Sequence, residues 1–328
     1  MQILVTGGTG FIGSHVVKQL VAQGHTVRCT VRRKSHTRRL RGLAYEKIVA
    51  DVRERLPMLE AVNGCDAVIH CASLSNWKDL SSPELRSIIL DGTQNLIDAS
   101  IAQGARLVYV SSAAALGASR DPHQLRTANS EFNLNPKRYR YAALKAEADR
   151  LCLQAVQSRG ANIVCVHPAE TYGPGDTQMV TASTLRDFVS GPICLTTHGG
   201  MSVAHVEDVA AGIIAACERG RSGQKYILGG ENSTLSQLAA ITQAYCGTQL
   251  REFCIPRSLV LLLAFVFRCT PFVRAQTLAT QYRYAAHYWF YDTESTQTQL
   301  GVQFRSAEET LHDTLKWLQK QNHGIRKR

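Results

Sequence analysis

Pairing motifs for cysteine are missing. The ten cysteines are scattered between Cys29 and Cys269 without a CxxC spacing, which argues against a structural zinc site and a disulfide scaffold. Long apolar runs are missing too: the longest, residues 259–267, has nine residues, whereas a bilayer-spanning helix needs about 20. The chain opens on MQILVTGG without the basic, apolar and cleavage segments of an export signal, so reduced thiols and a cytoplasmic location are expected. No internal repeat or low-complexity segment is visible. Acidic residues are in deficit, 26 against 37 basic ones. The net charge of +11 implies an anionic partner: nucleic acid, an acidic lipid surface or a phosphorylated small molecule.

What is present is a 328-residue chain with 45% hydrophobic content, enough for one large domain or two modest ones. Short β-branched runs alternate with longer amphipathic stretches, the pattern of βαβ units and a parallel sheet. Strands are expected at 2–6, 26–31, 46–50, 67–71, 107–111 and 163–167, with helices in most gaps and Gly24 and Gly160 as left-handed helix stops. The expected fold is α/β, a Rossmann-type doubly wound parallel sheet with a smaller mixed α/β C-terminal lobe. Residues 1–176 would form the cofactor domain, with 201–230 returning to it, and 177–328 mainly the substrate lobe. Periodicity fails over the polar stretch 113–137, and a long irregular loop in a compact domain is usually functional or mobile. Beyond Gly173-Pro174-Gly175 the pattern is irregular, with helices expected near 207–219 and 235–246. A last helix precedes the tail HGIRKR, which is expected to fray.

The run Thr6-Gly7-Gly8-Thr9-Gly10-Phe11-Ile12-Gly13 follows a strand and opens a helix. Gly7 permits a tight turn, Gly10 lets backbone approach a pyrophosphate, and Gly13 lets the helix sit close on the sheet. The unpaired N–H groups of the helix start then face the phosphates. An ordinary βα turn is the plain alternative, but strand, helix and position agree on dinucleotide binding. An acid at the end of the second strand would favour NAD, an arginine NADP. The chain reads Arg32-Arg33-Lys34 there, so NADP(H) is favoured over NAD(H), with Arg32 the main phosphate ligand and Arg33 or Lys34 assisting. A merely solvated basic loop is the alternative. Asp51, beside Val52 after the third strand, is placed to bond the adenine edge or to cap a turn. Because the basic cluster sits where a cofactor phosphate belongs, no nucleic-acid partner is expected.

Ser111-Ser112 ends the fifth strand, and Tyr141-Ala142-Ala143-Leu144-Lys145 follows on a helix. Positions i and i+4 share a helix face, so the phenol and the ammonium can converge. A neighbouring ammonium would lower the tyrosine pKa and make it a usable acid or base near neutrality.

With these motifs the chain resembles an extended short-chain dehydrogenase/reductase of the NAD-dependent epimerase/dehydratase superfamily. TGGTGFIG is similar to its TGxxGxxG, YAALK to its YxxxK, and SSAAALG to its SSxxxxG. The likeness continues through His70-Cys71-Ala72-Ser73, Gly92-Thr93-Gln94-Asn95-Leu96, Tyr172-Gly173-Pro174 and Val203 to Val209, nearly the whole chain. TVRCTVRR resembles the dihydroflavonol reductase group. Val203 through Asn232 resembles hopanoid-associated sugar epimerases and 3β-hydroxysteroid dehydrogenase-like proteins. The resemblance implies Ser112, Tyr141 and Lys145 as catalytic residues, with Cys71, Ala72, Ser73, His167 and Pro168 bordering the cofactor. It makes Ser73, Ala113, Glu170 and Thr171 substrate-side candidates, and it implies a homodimer through helices near 83–103 and 139–158. Two departures stand out. Ile89 occupies a position where the family often has Asn, and Glu170 stands where sugar-nucleotide members have an amide. A carboxylate beside a diphosphate is repulsive, so a nucleotide-sugar substrate is disfavoured.

The leading expectation is an NADP(H)-dependent oxidoreductase interconverting a ketone or aldehyde and an alcohol on a small, fairly apolar, non-nucleotide molecule. The rivals are a sugar epimerase or dehydratase with retained cofactor and a non-catalytic cofactor-sensing or scaffold protein. His70, His167, His198 and His205 lack metal-ligand spacing, so no metal is expected. The apolar segment 255–272 reads as a buried helix of the C-terminal lobe. The alternatives are a wall of an apolar pocket or a surface for peripheral membrane contact.

Overall fold

The computed structural model describes residues 1–74 and 76–321. The first half alternates strand and helix: β1 (Gln2–Thr6), α1 (Phe11–Ala22), β2 (Thr26–Val31), β3 (Glu46–Val49), α2 (Arg55–Val62), β4 (Ala67–His70), α3 (Gly92–Gln103), β5 (Arg106–Val110), α4 (Arg140–Arg159) and β6 (Ile163–Pro168). The second half is less regular: β7 (Glu170–Tyr172), α5 (Ala182–Asp187), β8 (Cys194–Thr197), β9 (Gly200–His205), α6 (Val206–Arg219), β10 (Lys225–Leu228), β11 (Asn232–Thr234), α7 (Leu235–Cys246), β12 (Glu252–Ile255), α8 (Arg257–Arg268), α9 (Val273–Ala285), β13 (Tyr288–Trp289), α10 (Glu294–Leu300) and α11 (Ala307–Lys320). Each of the six expected strands forms, with its ends moved by no more than a residue. The tail HGIRKR, expected to fray, lies outside the described residues.

Seven strands form one parallel sheet in the order β10-β6-β5-β4-β1-β2-β3. The central strands are buried along their length, as a sheet covered on both faces requires. One face carries α1 and α6, where Val16, Val17 and Leu20 meet Val209 and Ile213. The other carries α2, α3 and α4, with Met58, Leu96, Ile97 and Leu144 in its core. The strand order reverses between β1 and β4, so their carboxyl ends open the crevice where such sheets bind ligands.

The smaller lobe is built around β9, which pairs with β7 and β13 in parallel and with β11 antiparallel. Its core joins Leu185 and Phe188 to Leu238 of α7 and Leu311, Leu315 and Leu318 of α11. Both helices start on capping boxes, Thr234 with Gln237 and Ser306 with Glu309. The irregular stretch 113–137 is held without periodicity. After a short turn at Ala113–Leu116, Asn133 bonds both backbone groups of Ala118, and bridges join Ser119 to Tyr288 and Arg126 to Tyr291. The segment 255–272 departs from expectation. Its helix α8 buries only Val260 and Ala264, so it is not a core helix.

Candidate active site

The glycine loop is built by steric necessity. Gly7 sits at φ +71°, and a Cβ there would lie 2.6 Å from the Ala72 nitrogen, so the loop rests directly on the chain leaving β4. A Cβ on Gly13 would overlap the Gly7 carbonyl, which is how α1 comes down onto the loop. No side chain caps α1, so its first N–H groups open into the crevice as an anion cradle. Thr6 lies beneath this loop, not on it. Its hydroxyl is 2.7 Å from His70 Nδ1, and it is fully buried.

The basic cluster divides by role. Arg28 is structural, bonding Glu46 and the carbonyls of Ala61 and Asn63 at 2.8 Å each. Arg32, Lys34, Arg38, Arg39 and Arg41 line the cavity at the end of β2, whereas Arg33 does not. Arg39 clamps two distant turns, donating to Thr9 O at 3.0 Å, Gly175 O at 2.8 Å and Thr177 Oγ1 at 2.6 Å. Asp51 and Val52 line the cavity beyond this cluster. Arg53 donates to the Asp51 carboxylate at 2.9 and 2.8 Å and holds it below the usual carboxylate range.

Ser112 leaves β5 in extended conformation, its Oγ accepting the Ala114 N–H at 3.3 Å. Tyr141 and Lys145 lie one turn apart at the start of α4. The hydroxyls of Ser112 and Ser73 face the Tyr141 phenol and favour its anion, yet burial prevails and pushes it up to about 12. This reverses the expectation that lysine lowers it. Lys145 Nζ donates to Val110 O at 2.9 Å and stands 4.9 Å above the Tyr109 ring, and its own pKa is held down to about 8 by burial. Asp149, one turn further along α4, supports the lysine's charge and is bonded to His167 Nε2 at 2.8 Å. His167 is therefore buried behind the site while Pro168 lines it. Ile89 is in the core, and its carbonyl accepts the Thr93 hydroxyl at 2.5 Å.

One continuous cavity of about 1620 Å³ runs from the arginine cluster past Tyr141 into the smaller lobe. Single-ligand pockets span roughly 300–1,000 Å³, so this one has room for a dinucleotide and a second molecule. Cys71, Ala72, Ser73, Ala113, Glu170 and Thr171 all line it. The far end has an aromatic wall that no sequence pattern announced: Trp77, Tyr284, Trp289 and Tyr291, with Tyr284 stacked on Trp289 at 4.9 Å. Glu170 faces this space with no cation or hydrogen-bond partner among the described residues, and burial pushes it up to about 7.

These features fit a dinucleotide: a helix start with no side-chain cap among the described residues, a cradle that any Cβ would fill, and a long cavity joining it to Ser112, Tyr141 and the buried Lys145. A family model described as the NAD dependent epimerase/dehydratase family matches residues 3–229. The chain is 30% identical to an inferred dihydroflavonol 4-reductase of Synechocystis sp., covering 98% of this chain and 94% of the relative. It is 33% identical to the 4-hydroxy-2-methyl-3-oxo-4-farnesyl-3,4-dihydroquinoline-1-oxide ketoreductase of Stigmatella aurantiaca, over 70% of this chain and 68% of that one. The crystal structure of gox2253 superposes with a TM-score of 0.83 at 29% identity, covering 99% of both chains. The chain belongs to the NAD-dependent epimerase/dehydratase family and is an NAD(P)-dependent oxidoreductase of the extended short-chain dehydrogenase/reductase type.

Proposed function

We propose that the protein is an NADP(H)-dependent reductase of a ketone or aldehyde on a small, fairly apolar, non-nucleotide substrate. The observation that carries this reading is the pairing of a basic cluster, residues 32–41 with no acid in that segment, at one end of the cavity with an aromatic wall and a Glu170 without a partner among the described residues at the other. Arg32, Lys34, Arg38 and Arg41 line the cavity where a 2′-phosphate would sit, with Arg32 the principal ligand, while Arg39 is already held by its two turns. A sugar diphosphate would meet Glu170, whereas an apolar body meets Trp77, Tyr284 and Trp289. The reductases among the relatives support the same direction.

When bound, the reduced nicotinamide supplies the hydride to the carbonyl carbon. Tyr141, kept neutral by burial, holds the proton that goes to the carbonyl oxygen, so the products are an alcohol and a tyrosinate that solvent reprotonates. Ser112 holds the same oxygen, and Lys145 bonds the nicotinamide ribose and steadies the transient tyrosinate. Asp149 and His167 orient Lys145 from behind. Residues 1–176 serve mainly the cofactor and 177–328 mainly the substrate, with α6 and β10 closing the large sheet. The ten free thiols suit a reducing cytoplasm, and α3 and α4 are the faces for a homodimer.

Thermal-shift titration tests this reading. NADP should raise Tm more than NAD at equal concentration, and uridine diphosphate sugars should raise it little. Stronger stabilisation by NAD, or a large shift with a uridine diphosphate sugar, would overturn it.

A further inference from the structure

Helix α8 is amphipathic in an unusual sense, because both of its faces are apolar. Val260 and Ala264 point inward. Leu259, Leu262, Phe265 and Val266 occupy an arc of about 120° on the opposite side, with Leu262 at 56% and Phe265 at 64% exposure. Phe272, which enters α9, is exposed at 70%. The neighbouring ribbon continues the patch: Leu195 of β8 and Phe253 of β12 are register partners, and both are exposed, as is Ile193. Isolated exposed apolar residues need no explanation, but eight on or beside α8, α9, β8 and β12 do.

The charge on α8 and α9 has one sign, while Glu252 on β12 bonds Thr196 and Ser236. From 253 to 291 the chain has no acidic residue but contains Arg257, Arg268, Arg274 and Arg283, and from 188 to 206 it has none either. No salt bridge among the described residues involves these four arginines. A second copy of the chain is a poor occupant, because a two-fold contact would press unpaired arginines together in a dry interface. No helix among the described residues is long and apolar enough to cross a membrane, so α8 can only lie along one. The elements that carry the patch also wall the cavity, through Ile193, Leu195, Ile255, Val260, Leu278 and Tyr282.

We propose that the exposed face of α8, with Phe272 and the β8–β12 ribbon, docks on an anionic phospholipid bilayer, and that the cavity takes an amphiphilic lipid substrate from that bilayer. The apolar arc enters the interface, the exposed Arg268 and Arg274 meet lipid phosphates while Arg257 and Arg283 donate to backbone carbonyls of the fold, and an apolar tail passes beneath α8 toward Tyr141. Docking rests on exposure and charge alone. Loading rests on the reductase reading.

Sedimentation of the full chain with vesicles tests it. The protein should pellet with vesicles containing phosphatidylglycerol and far less with phosphatidylcholine alone, and binding should weaken with salt. The double variant Leu262→Glu/Phe265→Glu should lose at least tenfold in vesicle affinity while keeping the wild-type circular dichroism, Tm and turnover of a short water-soluble ketone. Arg268→Glu/Arg274→Glu should lose binding only to the anionic vesicles. Equal pelleting of wild type and Leu262→Glu/Phe265→Glu would overturn docking. So would a solution dimer that the same variant dissolves, since that gives the patch to a second copy. Intact vesicle binding with no activation of a long-chain ketone's reduction would overturn loading alone. Vesicle binding with no reductase activity on any ketone would leave docking in place and sink the reductase reading.

Discussion

The two ends of the cavity treat a lining carboxylate in opposite ways. At the cofactor end Asp51 is clasped by Arg53, and behind the reacting groups Asp149 is paired with His167. At the substrate end Glu170 has no partner among the described residues and is pushed up to about 7 by burial. Fixed, compensated charge suits a ligand that is always the same polyanion. An uncompensated carboxyl beside an aromatic wall suits a ligand with little charge, for which the neutral acid is the better neighbour. In the proposed reaction, recognition of the cofactor is thus rigid and electrostatic, and recognition of the substrate is a matter of shape and desolvation.

The sharpest way to break this comparison lies where the two ends meet. Tyr141→Phe should lower kcat for carbonyl reduction by about 10²–10⁴-fold with cofactor affinity unchanged, because only the proton donor is removed. Steady-state rates together with NADP titration check it, and retention of full turnover would remove Tyr141 from the mechanism. Gly13→Val comes next. Its side chain must displace the Gly7 carbonyl, so cofactor binding should fall by at least tenfold and Tm should drop, by calorimetry with and without NADP.

Smaller effects sharpen the comparison. Arg32→Glu should weaken NADP about tenfold to a hundredfold and leave NAD within a few-fold, measured by isothermal titration. A similar loss for both cofactors would place Arg32 away from the 2′-phosphate. Glu170→Gln should act through pH. The wild-type carboxyl is neutral below about 7 and ionised above, so KM for an apolar ketone should rise as pH passes 7 and should stay flat in the variant. The stability sign follows from the same shift. The folded state holds a proton that the unfolded chain releases near 4.5, so this group costs stability increasingly from pH 4.5 to 7. Glu170→Gln should therefore raise Tm by more at pH 8 than at pH 5, and the reverse order would show that the carboxyl is compensated.

The same division explains what the sequence discloses. The large sheet is legible because each strand is a short β-branched run closed by a turn, and the loop Gly7 to Gly13 is legible because only glycine meets its steric demands. The polar stretch 113–137 has no period to read, since Asn133 orders it through backbone groups. The aromatic wall is assembled from Trp77, Tyr284, Trp289 and Tyr291, which no local spacing joins. The role of Arg39 depends on a turn 136 residues away. For α8 the apolar run reads alike whether it faces a core or solvent, and only tertiary placement shows that one face is left open. The tyrosine–lysine spacing puts Tyr141 and Lys145 on one face of α4, but burial, invisible in spacing, sets the direction of the phenol's shift.

In the proposed reaction one end of the cavity holds a consumable NADPH while the other presents a carbonyl to Tyr141. Simultaneous recording of nicotinamide absorbance and product during turnover of an apolar ketone measures it most directly. One NADPH should be oxidised for each alcohol formed, at a rate that falls about 10²–10⁴-fold with Tyr141→Phe. Product that accumulates with no net change in nicotinamide absorbance would contradict it and identify an enzyme that returns the hydride to its substrate.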